Sequence, residues 1–272
     1  MRKNKQHDFS DKLIPKSLYS SYFPKTQNQI NYVKCLNEET SKIIVATGPA
    51  GTGKTLFACL KAIDLLNKHQ INKVIITRPV VTVEEELGFL PGNIVNKMDP
   101  WTRPIFDLFL EHYSKKELDN MVHENQIEIS PLAFMRGRTF KNAFVIADEM
   151  QNSSPNQMKM LTTRIGTNSK MVITGDMQQS DLKTNNGLSE LIQKIKIYNT
   201  EHTSSSIEKM IQLITLDGGD IERSEVVKKI IEIYNYKHVE NVKTEPVKAL
   251  VTVQNIKERK PELFDFDALY KR

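Results

Sequence analysis

The chain has 272 residues, 39% hydrophobic and 26% charged, which suits a globular protein with a sizeable core and excludes a disordered or collagen-like one. No apolar stretch reaches bilayer length and no charged-then-apolar leader opens the sequence, so no membrane span and no signal peptide are expected. The net charge of +5 and the isoelectric point of about 9.0 are compatible with a polyanionic partner.

Residues 1–24 form a basic lead without periodicity, in which Arg2, Lys3, Lys5, Lys12 and Lys16 face only Asp8 and Asp11. A solvated tail and a nucleic-acid arm both fit that pattern. Apolar spacing then predicts a helix over 26–37, and the run Ile43-Ile44-Val45-Ala46 a buried strand over 43–47. The octet GPAGTGKT follows at 48–55, with a helix over 54–69 behind it and a second apolar strand at 73–77. Residues 79–126 read as a long excursion rich in turn residues, among them Pro79, Gly88, Pro91, Pro100 and Pro104, of the kind that is functional or carries its own short helices. Two further strands are predicted, at 127–130 and 143–147. Ser154-Pro155-Asn156-Gln157 signals a helix start, with Ser at the cap and Gln reciprocating, and that helix is expected to end near Gly166. A strand at 170–174 and amphipathic helices at 187–198 and 222–236 complete the series.

Strands alternating with helices imply an α/β fold, a mostly parallel sheet with helices on both faces. The expected organisation is a single domain over 25–236, preceded by the basic lead and followed by a peripheral tail at 237–272. Cys35 and Cys59 lie in apolar surroundings, and the six histidines are scattered without ligand spacing. Neither a disulfide nor a zinc site is expected, and the default setting is reducing and cytoplasmic.

The octet matches G-x-x-x-x-G-K-[ST], a loop whose successive backbone N–H groups wrap the phosphates of a nucleotide. Gly48, Pro49, Ala50, Gly51, Thr52 and Gly53 are therefore assigned to phosphate binding. Lys54 places a cation at the β- and γ-phosphates, and the Thr55 hydroxyl is positioned to ligate Mg²⁺. The helix starting there points its positive N-terminal dipole at the same anion. Asp148 and Glu149 follow an apolar strand, at the edge where a parallel sheet delivers residues to its ligand. An Asp there holds the Mg²⁺ shell and an adjacent Glu polarises the attacking water. Gln179, after the strand ending in Thr174-Gly175-Asp176, suits a γ-phosphate sensor; a polar turn is the plainer reading.

The stretch 127–188, containing AFVIADEMQN and VITGDMQQ, resembles the PhoH-like family of P-loop ATPases, as does TRPVV…LGFLPGNIVNKMDPWTRPIFD at 77–107. The resemblance covers about 24–236, and the family includes phosphate-starvation-inducible proteins, members linked to RNA metabolism and members in phage genomes. It implies a single RecA-like core, related to superfamily 1 helicases, that binds and hydrolyses ATP. It also implies roles for further residues. Gln29 sits where such cores place an adenine-reading glutamine, or is a surface glutamine on a helix. Gln151 would link the acid pair to the γ-phosphate. Arg164 would pair with a phosphate or an acid, or simply terminate a helix. Arg223 matches the arginine of a D-x-x-R-H pattern in which Ser224 here replaces the histidine, and would act as a finger toward a neighbouring subunit. One phosphate loop and length for one core then imply a homo-oligomer, a ring such as a hexamer. Arg78, Arg103, Arg136, Arg138 and Trp101 have the side chains that contact RNA or single-stranded DNA; loop anchoring, or pairing with Glu84–Glu86, is the structural alternative. A nucleotide-dependent switch that binds a protein partner is the competing reading of the whole chain.

Overall fold

The computed structural model describes residues 22–79, 94–180, 186–202, 207–222 and 225–235. Six strands, β1 (Ile43–Thr47), β2 (Lys73–Thr77), β3 (Ile127–Ile129), β4 (Ala143–Ala147), β5 (Lys170–Gly175) and β6 (Ile211–Thr215), form one sheet in the order β3-β2-β4-β5-β1-β6. Every pairing is parallel. The strands are short apolar runs because both faces are covered. Ile44 and Ala46, Val74 and Ile76, Phe144 and Ile146, and Val172 pack on one face. Val45, Ile75, Val145 and Ala147, and Met171 and Ile173 pack on the other. This period-two division puts helices on both sides of the sheet. The α/β architecture is the one expected, and the acid-bearing β4 is separated from the loop-bearing β1 by β5 alone.

On the first face lie α1 (Gln27–Asn37), α2 (Lys54–Asn67), α3 (Ile94–Leu110) and α4 (Lys115–His123). The second face is covered by α5 (Pro155–Thr162) and α6 (Gly187–Glu201). Thr26 caps α1 through the amide of Gln29, whose side chain returns a bond to the cap. Ser114 with Glu117 and Ser154 with Gln157 do the same for α4 and α5. In each case an orphan donor at both the cap and the third position is satisfied.

At three points the structure adds to or departs from the sequence reading. The excursion at 79–126 contains α3 and α4, and α3 runs through Pro100 and Pro104. Thr102, Ile105 and Phe109 lie three and four residues apart and are almost fully buried, so packing of that face outweighs the backbone bonds the prolines remove. The helix from Pro155 stops at Thr162 rather than near Gly166, with Thr163 as its C-cap. Strand β6 was not anticipated. Its run IQLIT is broken by Gln212 and is only partly buried, so pairing with β1, rather than its own pattern, makes it a strand.

The chain divides into two compact units, 1–225 and 226–272. The sheet belongs to the first, and helix α7 (Glu225–Asn235) falls almost wholly in the second. Among the described residues, no helix is long and apolar enough to cross a membrane.

Lys170 ties β5 to the end of α1. Its ammonium donates to the carbonyls of Leu36 and Glu38, each at 2.7 Å. Burial, with the charges of Lys61 and Lys42 added, lowers its pKa from 10.5 to about 8. Between pH 8 and 10.5 the unfolded chain therefore holds a proton that the folded chain has released, and stability from this group rises with pH. Urea melts of the wild type and Lys170→Met should show the difference shifting in favour of the wild type from pH 8 to 10. A flat or falling difference would contradict the assignment.

Candidate active site

Strand β1 delivers the glycine-rich loop at the C-terminal edge of the sheet. Gly48, Gly51 and Gly53 have φ of 151°, 85° and 91°. A Cβ on Gly48 would lie 2.3 Å from the Leu216 carbonyl oxygen, and one on Gly53 2.8 Å from the Phe57 ring. Only glycine fits both the torsion and the space. Gly53 is the N-cap of α2 and has no side chain to cap it, so no capping group competes with an anion for the first amides of α2. Thr52 is buried and donates to the Pro49 carbonyl at 2.9 Å, which closes the loop on itself.

Lys54 is 8% exposed, and its Nζ donates to the carbonyls of Gly48 at 2.6 Å and Pro49 at 2.7 Å. Burial lowers its pKa, while the charges of Asp176, Glu149 and Asp148 work in the opposite direction. Tyr32 of α1 donates to the Lys54 carbonyl at 2.9 Å and anchors the first turn of α2.

The acid pair meets this loop. Asp148 Oδ1 accepts from Thr55 Oγ1 at 2.7 Å and from Thr174 Oγ1 at 2.6 Å. Thr174 stands on β5, between the loop strand and the acid strand, and was visible in sequence only as part of a strand end. Two oxygen donors from hydroxyl and carboxylate at one point suit a hard divalent cation that takes its remaining ligands from water and phosphate. Glu149 follows in the left-handed region, φ 54° and ψ 38°, a strained conformation for a side-chain-bearing residue. Its Oε2 accepts from Gln151 Nε2 at 2.5 Å, and Arg78 Nη2 lies 3.9 Å from its Oε1.

Gln151, 1% exposed, continues the chain of contacts: its Oε1 accepts from the Asp176 amide at 3.1 Å. Gly175 makes room for it, since a Cβ there would sit 2.9 Å from Gln151 Oε1 and 2.4 Å from Leu188. The glutamine wired to the acid pair is thus Gln151. Gln179 is exposed in the turn after β5, where its backbone amide bonds the Asp176 carbonyl at 3.1 Å. Its side chain is thus on the surface beside the site, at the same strand end as Asp176.

Two other candidate residues are placed as follows. Arg164 lies after α5 with its guanidinium on the carbonyl of Arg138 and the hydroxyl of Thr163, and its own carbonyl accepts from the Phe140 amide. Phe140 precedes β4, so Arg164 is at the opposite sheet edge from Asp148, about 13 Å or more away at strand rise. It is not brought to the phosphate loop. Gln29 is 2% exposed and its amide is engaged on both sides, as detailed below. Arg223 lies outside the described residues. Of the other arginines, Arg138 forms a two-pronged pair with Glu128, one bond at 2.9 Å, and lies 5.2 Å from the centre of the Phe140 ring. Arg78 stands beside Glu149, and Arg103 and Arg136 are exposed. Glu84–Glu86 and the side chain of Trp101 lie outside the described residues.

Beyond β6, residues 216–222 drape against the loop. The Leu216 amide donates to the Thr47 carbonyl at 2.7 Å, and that of Glu222 to the Gly51 carbonyl at 3.1 Å. Asp220, 2% exposed, accepts from Thr26 Oγ1, from Asn28 Nδ2 at 3.0 Å and from the Asp217 amide at 2.7 Å. Burial raises its pKa, but these bonds outweigh it and hold the carboxyl below its ordinary value. A cavity of about 360 Å³ opens over the loop, lined by Gln29, Gly51, Lys54, Thr55, Phe57 and Glu149 among others. A larger hollow of about 700 Å³, beside Asn67, Tyr113 and Glu124, contains no residue of the loop or the acid pair.

A family model described as PhoH-like protein matches residues 22–235. The chain is 41% identical over 213 residues to a PhoH-like protein of Bacillus subtilis (strain 168), covering 78% of this chain and 63% of that one. It is 38% identical over 210 residues to a PhoH-like protein of Synechocystis sp., covering 77% and 61%. Protein PhoH of Escherichia coli (strain K12) is 34% identical over 220 residues, covering 79% and 59%. The chain thus spans about 60% of the length of these relatives. Among solved structures it is similar to the Sulfolobus solfataricus SWI2/SNF2 ATPase core in complex with dsDNA, at 16% identity and a TM-score of 0.38 over 69% of this chain and 43% of that one. The Pyrococcus furiosus Hef helicase domain is similar at 14% identity and a TM-score of 0.38, over 71% and 38%.

Proposed function

The chain belongs to the PhoH-like family, and from that premise we propose that it hydrolyses ATP with Mg²⁺ held at Thr55 and Asp148. The observation that carries this reading is the meeting of Thr55 Oγ1 and Asp148 Oδ1 at 2.7 Å beside the lysine of the loop. Mg²⁺ supplies neutralisation of the β- and γ-phosphate oxygens. Lys54, once it leaves the loop carbonyls, adds a positive charge where the transition state gathers negative charge. Glu149 accepts the proton of the attacking water, with Gln151 holding one carboxylate oxygen and thereby its orientation. Most of the rate gain is positioning and electrostatics.

The wider reading is a cytoplasmic homo-oligomer in which Arg223 of one copy completes the site of the next, acting on RNA or single-stranded DNA. A second reading has a specific observation behind it. Arg138 is engaged with Glu128 and Arg78 stands at Glu149, which removes two of the arginines assigned to a polyanion. This weakens the nucleic-acid reading and leaves a nucleotide-dependent switch that binds a protein partner as the alternative.

Phosphate release from ATP by the whole chain, with and without single-stranded RNA at low salt, tests both. Turnover abolished by a chelator and raised by RNA supports the nucleic-acid reading. Chelator-sensitive turnover that RNA leaves unchanged favours the switch. Turnover that persists without divalent metal overturns the proposed mechanism.

A further inference from the structure

We propose that the pocket is blind to the base: it accepts a nucleoside triphosphate whatever its base, holding the ring by stacking and the phosphates by the loop. This deepens the hydrolase reading above and rests on it. A site that selects adenine needs a donor and an acceptor aimed at the ring edge, and a site so built rejects an analogue lacking the matching groups by about 10⁴-fold or more.

Gln29 is the amide lining the cavity at the position suited to that task, and its hydrogen-bonding capacity is filled. Its Oε1 accepts from the amides of Lys25 at 2.8 Å and Thr26 at 3.3 Å. Its Nε2 donates to the carbonyls of Thr52 at 3.3 Å and Asp220 at 3.1 Å. Two lone pairs and two protons are all a primary amide has. The four bonds clamp the start of α1, the phosphate loop and the exit of β6 together. Turning the amide toward a base would strand buried backbone groups, so bonds gained at the ring edge are offset by bonds given up.

The remaining described polar side chains on that side of the cavity also have partners. The Tyr22 hydroxyl donates to Glu111 at 3.0 Å, and the Glu222 carboxylate pairs with Lys25 at 2.5 Å. Among the described residues, what the wall offers a base is the apolar surface of Tyr22, Phe23, Leu56 and Phe57. Every base has a π-face, so stacking on such a surface tolerates all four.

The test measures kcat/KM for ATP, GTP, CTP and UTP with the full chain, alongside the thermal shift each produces. Values within about tenfold of one another are expected, with comparable shifts; an ATP preference beyond that overturns the proposal. Gln29→Ala should depress all four in parallel, as loss of a clamp does, whereas loss confined to ATP would show that Gln29 reads adenine. If none of the four is hydrolysed, the hydrolase reading fails on its own. The thermal shifts then still decide base selectivity, with stabilisation by ATP alone counting against it.

Discussion

Glu149→Gln is expected to slow phosphate release by about 10²- to 10⁴-fold, the range for removal of a general base, while nucleotide affinity stays within a few-fold. The substitution keeps volume and shape. An amide oxygen still accepts from Gln151 Nε2, which now lies 2.5 Å from Glu149 Oε2, and the left-handed backbone at φ 54° is undisturbed. What is lost is the ability to take a proton from water. Single-turnover release and equilibrium binding of ATP separate the two effects. A variant that turns over within about threefold of wild type would remove Glu149 from the chemistry and leave it as the partner of Arg78.

Lys54→Ala should abolish nucleotide-induced stabilisation and reduce turnover by about 10²- to 10³-fold, the scale seen when one oxyanion donor is removed. The fold itself should tolerate the change. The lysine's contacts are to carbonyls of its own loop, Gly48 and Pro49, and burial already works against its charge. Thermal melts with and without Mg-ATP measure both sides. Saturating wild type at 100 times its Kd adds about 2.7 kcal/mol of stability, and the variant should show almost none of it. A variant whose unliganded melt collapses would make Lys54 a structural residue first.

Much of the site was legible before the fold because its signals are local. The spacing of Gly48, Gly51 and Gly53 reports torsions that other residues avoid, and the short apolar runs ending at Thr47, Ala147 and Gly175 mark buried parallel strands. The Thr55–Asp148 contact followed from two such strands sharing an edge. What the fold adds is side-chain partnerships. Gln29 lies on α1 as expected, but its bond to Asp220 spans 191 residues and depends on β6, whose run is broken by Gln212 and ends in Thr215. Gln151 and Gln179 have equal claims by position along the chain. Only the packing of Gly175 against Gln151 separates them.

By itself, then, the sequence determined the phosphate loop, five of the six strands and the acid pair, because backbone torsion and apolar period are written in neighbouring residues. The tertiary structure alone decided that α3 continues through Pro100 and Pro104, that Arg138 faces Glu128, and that Gln29 is a clamp. Those outcomes depend on which surfaces the sheet order brings together and how much burial each gains, and neither quantity belongs to any one segment of the chain.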